Sequence, residues 1–214
     1  MLQLEPLISE IVARRRRIPA ERALLVGLSG IDASGKGFVA ERLARSLGRT
    51  AGITEPGYNF AVIGVDGWLN LPHVRFHDQN PAEHFYQHAL RFDEMFERLI
   101  VPLRENRSVD LEMDFTEETA VSYRKHRHHF RDIAVIFLEG IFLFKRRYRS
   151  QYDLACWIEC SFETALARGV KRCQEGLPPS ETVRAFETIF FAAQKLHLAR
   201  DNPRAAADLI IANS

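Results

Sequence analysis

Three residues near the start of the chain have the types and spacing of a phosphate-binding loop. Gly30, Gly35 and Lys36 fit the pattern G-x-x-x-x-G-K, between an apolar run and a helical pattern. Glycines let the main chain curl so that successive N–H groups face phosphate oxygens, and the following helix adds the positive end of its dipole. The lysine supplies a cation. The sequence therefore predicts phosphate binding by Gly30, Ile31, Asp32, Ala33, Ser34, Gly35, Lys36, Gly37 and Phe38.

The residue after the lysine departs from this pattern. A serine or threonine at this position normally provides a hydroxyl for Mg²⁺, whereas this chain has Gly37. The departure weakens the argument for a metal more than the argument for phosphate. A glycine-rich turn that binds nothing is the alternative interpretation.

Two carboxylates end apolar runs that are typical of buried parallel strands. Asp66 ends the run 60–66, and Glu139 lies at the end of 133–140. Ligands of open α/β sheets bind at the carboxyl ends of strands, and we expect the first of these strands to lie beside the phosphate-binding loop. Asp66 is therefore a candidate catalytic base and Glu139 a candidate Mg²⁺ ligand. In the alternative interpretation, each merely ends its strand.

Length and composition restrict the class of protein. The 214 residues suit one α/β domain, and a net charge of +1 gives no overall field for nucleic acid or membrane. Three cysteines indicate reduced thiols in a cytosol. No apolar run approaches the ~20 residues that span a bilayer. We therefore expect a cytoplasmic protein that binds neither nucleic acid nor membrane; its oligomeric state, a homo-oligomer included, stays open.

The remaining patterns predict the elements that position these residues. An N-terminal helix over 2–17, within an N-terminal segment 1–20, ends in arginines 14–17, which we interpret as a solvated helix end. Further helices are expected over 36–48, where Gly48 stops the helix, and from Asn80 as the N-cap to a break at Pro102. Helices capped by Ser161 and Ser180 and strands over 23–29, 154–159 and 207–211 complete the prediction.

Two basic stretches allow more than one interpretation. Residues 104–123 read as a loop or hairpin, and 123–131 then carry many cations and three histidines. A metal site and an RNA-binding module are alternatives there, but we favour a basic surface near the phosphates. Arg168 and Arg172 precede a loop containing Gly176, so the region about 168–180 is either a lid over phosphates or an ordinary exposed helix end.

Taken together, these residues resemble the uridine kinase and phosphoribulokinase group of P-loop kinases. The matching segments are GLSGIDASGKG at 27–37, VDGW at 65–68, NPAEHF at 80–85, FLEGIF at 137–142, ARGVKR at 167–172 and NPRAAADLII at 202–211. The resemblance implies an α/β P-loop NTPase fold, a three-layer sandwich. In it, a five-stranded parallel sheet has helices on both faces and carries a small lid.

The same resemblance implies an ATP-dependent small-molecule kinase that uses Mg²⁺. It makes Asp66 and Lys36 catalytic, Glu139 the metal ligand, and Arg168 and Arg172 contacts of ATP phosphates. The expected acceptor is a hydroxyl of a uridine-like nucleoside or a similar small metabolite. A stretch that binds the nucleoside in uridine kinases lacks its Tyr, His and Arg at residues 113–120. Two alternatives therefore stay open: a kinase of a sugar acid or pantothenate, and a non-catalytic nucleotide-binding protein.

Overall fold

Five parallel strands form the central sheet. The computed structural model describes residues 4–47, 59–174 and 176–213. Its strands are β1 Leu24–Gly30, β2 Asn59–Gly64, β3 Val109–Phe115, β4 Arg124–Phe130, β5 Ile133–Gly140, β6 Leu154–Glu159 and β7 Leu209–Ala212. The sheet has the order β2-β5-β1-β6-β7 with every pair parallel, while β3 and β4 form an antiparallel hairpin. The five-stranded parallel sheet is confirmed. β5 separates β2 from β1, the strand that leads into the phosphate-binding loop.

Eleven helices are present in the described ranges. They are α1 Glu5–Arg15, α2 Lys36–Leu47, α3 Pro72–Arg75, α4 Pro81–His88, α5 Phe92–Met95, α6 Val101–Asn106, α7 Arg146–Arg149, α8 Phe162–Arg172, α9 Pro179–Ala185, α10 Phe191–Asp201 and α11 Pro203–Ala206. A 3₁₀ turn spans Val65–Trp68, and π-helical turns span Phe96–Ile100 and Phe186–Phe190. The predicted end of α2 at Gly48 lies outside the described residues. No helix among those described is both long and apolar enough to cross a bilayer.

Helices cover both faces of the sheet, which confirms the three-layer sandwich. Buried residues of α1 and α2 pack on one face, among them Leu7, Ile11 and Leu43. Buried residues of α4, α5, α8 and α10 pack on the other. All seven residues of β1 are buried between these cores. Because β1 is buried on both faces, the loop that follows it starts from a rigid base.

The interpretation of arginines 14–17 as a solvated helix end is wrong for the first two. Arg15 is buried, and its guanidinium donates to the main-chain oxygens of Ile18, Pro19 and Ala20. Arg14 donates to Glu10 at 2.6 Å and to the main-chain oxygen of Asp153. Both cations therefore attach the end of α1 to main-chain carbonyl groups that lie outside the helix.

The long helix expected from Asn80 to Pro102 is interrupted much earlier. α4 ends at His88, because the main chain that follows it bonds to the 3₁₀ turn instead of continuing the helix. Arg91 N donates to Trp68 O, the last residue of that turn, at 2.9 Å. Asn80 has a φ of 51° and makes no side-chain cap. Pro102 lies inside the later helical run, where the π-helical turn that precedes it accommodates its missing N–H.

Residues 104–123, expected to form a loop or hairpin, contain one strand of a hairpin, β3, and its partner β4 is the basic stretch itself. This stretch does not form the expected basic surface near the phosphates. Cations of β4 pair with acids of β3: Arg127 bonds to Asp110 at 2.5 Å and Lys125 to Asp114 at 2.8 Å. His128 is buried and stacks on Trp68. No group of three metal-binding side chains occurs in the described part of the chain.

The two predicted serine caps differ in outcome. Ser161 is confirmed, because its hydroxyl accepts from Thr164 N at 3.1 Å. The predicted cap at Ser180 is wrong, because α9 begins one residue earlier at Pro179, a residue suited to the first helical turn. The Thr182 hydroxyl donates to Pro178 O at 3.1 Å and stabilises this helix start instead.

Candidate functional site

A cavity of about 560 Å³ opens at the carboxyl end of the sheet. Most of the predicted site residues line it: Asp32, Ala33, Gly35, Lys36, Gly37, Phe38, Asp66, Glu139, Arg168 and Arg172. The remaining three, Gly30, Ile31 and Ser34, belong to the same loop but do not line the cavity. Ile31 and Ser34 are buried and support the loop from within. The structure therefore brings the loop, both carboxylates, Arg168 and Arg172 to one place.

The main chain of the loop requires glycine at two positions. Gly35 has a φ of +87°, which L side chains rarely adopt, and a Cβ there would lie 2.4 Å from Asn213 Nδ2. A Cβ at Gly30 would lie 2.6 Å from Ser34 Oγ and 2.8 Å from Ile158 O. These close approaches explain physically why the glycines of the motif occur here.

The amide groups of the loop divide into two sets. Three are bonded within the protein: Asp32 N donates to Gln194 Oε1 at 2.9 Å, Ala33 N to Asp32 Oδ1 at 2.7 Å, and Ser34 N to Ile31 O at 3.1 Å. For the next four N–H groups, of residues 35–38, the structure gives no acceptor within the described ranges. These N–H groups begin α2, so they and the helix dipole are available to an anion.

Three cations surround these amides. Lys36 is 9% exposed, and its Nζ donates to Ile31 O at 3.2 Å. Arg172 lies 3.4 Å from Asp32 Oδ1, and Arg168 donates to Asn213 O at 2.9 Å. The Asn213 side chain in turn donates to Ser34 O at 2.7 Å. Asn213 thus connects Arg168 to the phosphate-binding loop.

Asp66 and Glu139 face the same cavity from neighbouring strands. Asp66 lies in the 3₁₀ turn that follows β2, and Glu139 lies on β5 opposite Gly64. A Cβ at Gly64 would lie 2.7 Å from Glu139 Oε1, so this glycine makes room for the carboxylate. The adjacent parallel strands therefore place the two acids together.

Burial raises the pKa of both acids. It raises the pKa of Glu139 to about 7, an effect that Lys36 opposes and the charge of Asp66 reinforces. The Asp66 side chain is open to the cavity, but protein surrounds it on its other sides, and this desolvation raises its pKa. Two neighbouring acids that are both partly desolvated favour the binding of a cation or the retention of a proton.

The residues present fit a Mg²⁺ ion that is bound only partly by the protein. Mg²⁺ commonly uses one or two carboxylates and completes its shell with phosphate oxygens and waters. Glu139 and Asp66 offer such carboxylates, whereas Gly37 offers no side-chain oxygen. The described residues form no cluster of three acidic or soft ligands that would hold a metal alone. The donor set therefore fits a metal that is shared with bound phosphates.

The far wall of the cavity was not predicted from the sequence. It combines the apolar side chains Leu69, Phe76, Phe85, Ile141 and Phe190 with Arg75, Glu118, Gln174 and Leu177. Gln194 and Asn213, which hold the phosphate-binding loop, were missed as well. These residues come from distant parts of the chain. Phe85 and Ile141 lie in the matching segments 80–85 and 137–142, but no local pattern assigned them to a cavity wall.

Comparisons with known proteins agree with this geometry. The phosphoribulokinase / uridine kinase family matches residues 25–175. A uridine kinase from Yersinia pestis (strain Pestoides F) is 27% identical over 156 residues, which cover 72% of this chain and 70% of that protein. The uridine kinase from Yersinia enterocolitica is 26% identical over the same coverage.

Solved structures show the same fold. A "possible uridine kinase" from Bacillus stearothermophilus superposes with a TM-score of 0.69 at 20% identity, covering 97% of this chain and 98% of that one. A proposed fructose transport system kinase from Silicibacter sp. TM1040 gives a TM-score of 0.75 at 22% identity, covering 98% and 99%. Because the family match spans most of the sequence, the chain belongs to the phosphoribulokinase / uridine kinase family, a family of ATP-dependent kinases.

Proposed function

We propose that this protein transfers the γ-phosphate of ATP to a hydroxyl group of a small metabolite. One observation carries the proposal: Asp66 and Glu139 line the same cavity as Lys36 and the four N–H groups of residues 35–38, for which the described residues provide no acceptor. A phosphate-binding surface and a pair of acids, brought together at a sheet edge, are the parts that phosphoryl transfer needs.

The donor half of the cavity would bind the nucleotide. The N–H groups of residues 35–38 and the Lys36 ammonium group would hold the β- and γ-phosphates. Arg168 and Arg172 would add charge from the end of α8, and the segment about 168–180 is our candidate for a lid. Glu139 would hold Mg²⁺ together with the phosphates, and this metal supplies neutralisation of phosphate charge when bound.

Asp66 would act as the base at the acceptor. Its carboxylate accepts the proton of the acceptor hydroxyl as that oxygen bonds to the γ-phosphorus and the bond to ADP breaks. The raised pKa of Asp66 brings it closer to the working pH, which favours proton acceptance. Most of the rate enhancement in such reactions comes from positioning and charge neutralisation, for which the rigid strand ends are suited.

Two classes of acceptor are candidates: a uridine-like nucleoside, and a non-nucleoside metabolite such as a sugar acid or pantothenate. The segment 113–120 adjoins the site: Thr116 N donates to Gly67 O at 3.1 Å, and Phe115 packs against Gly67. Of this segment, Glu118 lines the cavity. The segment therefore closes the site beside Asp66, as expected for a part of the acceptor pocket.

A non-catalytic nucleotide-binding protein is the second candidate, and Gly37 favours it because the usual metal-binding hydroxyl is missing. The deciding experiment measures ADP release from ATP and Mg²⁺ across a panel of hydroxylated acceptors. Acceptor-dependent ADP release supports the kinase. Tight ATP binding without such release over the whole panel would support the second candidate.

A further inference from the structure

Arg75 is a buried cation on the far wall of the cavity. It belongs to α3, nine residues after Asp66, and is 4% exposed. Its guanidinium donates to the main-chain oxygens of Asn70, at 3.1 Å, and Glu118. It also lies over the Phe76 ring, 5.0 Å from the centroid. Arg75 is therefore fixed in place by the segments on either side of the acceptor pocket.

The hydrogen bonds of Arg75 do not satisfy its charge. Both of the main-chain oxygens that it contacts are neutral acceptors, and its Nε has no hydrogen-bond partner among the residues described. No carboxylate in the described chain makes an ion pair with it. Burial accordingly lowers the pKa of Arg75, although the charges of Glu118 and Asp66 favour the cation. A buried cation is costly unless an anion pairs with it, so this site favours a charged ligand.

Cations other than Arg75 are placed to bind the donor phosphates. Lys36, Arg168 and Arg172 lie at the phosphate-binding loop and at the end of α8, which faces it. Arg75 instead follows Asp66 in the segment between β2 and α4. It shares the far wall with Phe76, Phe85 and Phe190. This placement puts the cation on the acceptor side of the proposed base.

We propose that Arg75 binds an anionic group of the phosphate acceptor, a carboxylate or a phosphate, while the acceptor hydroxyl lies at Asp66. This inference rests on the proposed kinase function and deepens it by naming the acceptor class. A guanidinium group matches the paired oxygens of both anions. The apolar wall would contact the carbon skeleton. Uridine, which is neutral, would leave the charge of Arg75 unpaired.

Matched acceptor pairs test the inference on the unmodified full-length protein. Each pair shares a skeleton and differs in charge: orotidine and uridine, pantothenate and pantothenol, glycerate and glycerol, fructose 1-phosphate and fructose. We expect the anionic member of a productive pair to have the higher kcat/KM. The first three pairs test a carboxylate and the last tests a phosphate. A higher kcat/KM for a neutral member would overturn the inference and leave the kinase assignment intact.

Substitution at Arg75 provides the second test. Arg75→Gln should lower kcat/KM for the anionic acceptor roughly 10- to 100-fold, the value of a hydrogen bond to a charged group. The neutral partner and the KM for ATP should be unaffected, and Arg75→Lys should restore part of the loss. Arg45→Gln is the matched control, because Arg45 is exposed on α2 and pairs with the exposed Glu41. An equal loss for both members of a pair would show a structural role alone.

A binding measurement separates this inference from the proposed function. Calorimetry with a non-hydrolysable ATP analogue present reports acceptor binding without turnover. Binding of an anionic member that depends on Arg75, without ADP release, would overturn the kinase function and keep the anionic subsite. Absence of both binding and turnover for every pair would overturn both proposals.

Discussion

The carboxylate of Glu139 lies against the main chain of Gly37. A Cβ at position 37 would be 3.6 Å from Glu139 Oε1, an ordinary van der Waals distance. The site therefore has room for a small side chain beside its acidic residue. The missing hydroxyl is a property of this sequence and does not result from crowding by the fold.

Gly37→Ser should lower the Mg²⁺ concentration for half-maximal activity. The added hydroxyl would provide an oxygen next to Glu139, and a gain of ~1 kcal/mol corresponds to about fivefold. Gly37→Ala is the control, because it adds the same Cβ without an oxygen. Titration of activity with Mg²⁺ measures the effect. Identical midpoints for the serine and alanine variants would show that the metal does not approach position 37.

Asp66→Asn should reduce kcat by roughly 100-fold or more, the usual effect of removing a positioned base. The side chain keeps its size, so the KM for ATP should change little. Steady-state ADP release at saturating acceptor measures the change. Asp110→Asn is the control, since Asp110 lies on the hairpin and pairs with Arg127. A kcat equal to that of the unmodified protein would exclude Asp66 as the base.

The pH dependence of kcat/KM should have an acidic limb near neutrality. Burial raises the pKa of Glu139 to about 7, so this acid takes up a proton as the pH falls through neutrality. The pKa of Asp66 is also raised above its ordinary value, which acts in the same direction. Protonated acids neither bind a metal nor accept a proton. Higher Mg²⁺ should move the limb to lower pH, because a cation favours the ionised forms. A profile that is flat from pH 5 to 8 would contradict these roles.

The same group predicts how the stability of the ligand-free protein changes with pH. The pKa of Glu139 is about 7 in the folded protein against an ordinary value of 4.5. Between these values the folded state retains a proton that the unfolded state has released, so the free energy of unfolding should fall as the pH rises. Glu139→Gln should therefore raise Tm at pH 8 more than at pH 5. Thermal unfolding at both values is the measurement, and equal shifts would refute the assignment.

Gln194→Leu should weaken ATP binding, because Gln194 on α10 accepts the N–H of Asp32 and fixes the start of the phosphate-binding loop. Loss of this buried hydrogen bond should cost ~1–2 kcal/mol, or roughly 10-fold in affinity. Gln87→Leu, at an exposed position of α4, is the matched control. Calorimetric titration with an ATP analogue measures both variants. Unchanged affinity in Gln194→Leu would show that the loop holds its shape without α10.

The parts of the site that have local patterns could be predicted from the sequence. Gly30, Gly35 and Lys36 have fixed spacing, and Asp66 and Glu139 follow apolar runs whose ends must meet at one edge of a parallel sheet. The order of the strands, with β5 between β1 and β2, could not be predicted, because it depends on crossovers that no short segment encodes. The catalytic candidates still converge, because parallel strands share a carboxyl edge in any order.

Residues that act across the fold could not be predicted. Gln194 and Asn213 support the phosphate-binding loop from more than 150 positions along the chain. Arg75 looks like an ordinary surface arginine until the fold buries it. The β4 cations were misassigned for the opposite reason. Their acidic partners on β3 neutralise them, and this pairing depends on hairpin register.

The position of β5 between β1 and β2 separates two tasks within one molecule. This strand fixes the distance between the loop after β1 and Asp66, so changes in it would alter the transfer step itself. The walls of the proposed acceptor pocket come instead from α3, α4 and the π-helical turn Phe186–Phe190, which lie between sheet strands along the chain. Changes in these segments should therefore alter which acceptor binds without moving the loop after β1 or Asp66.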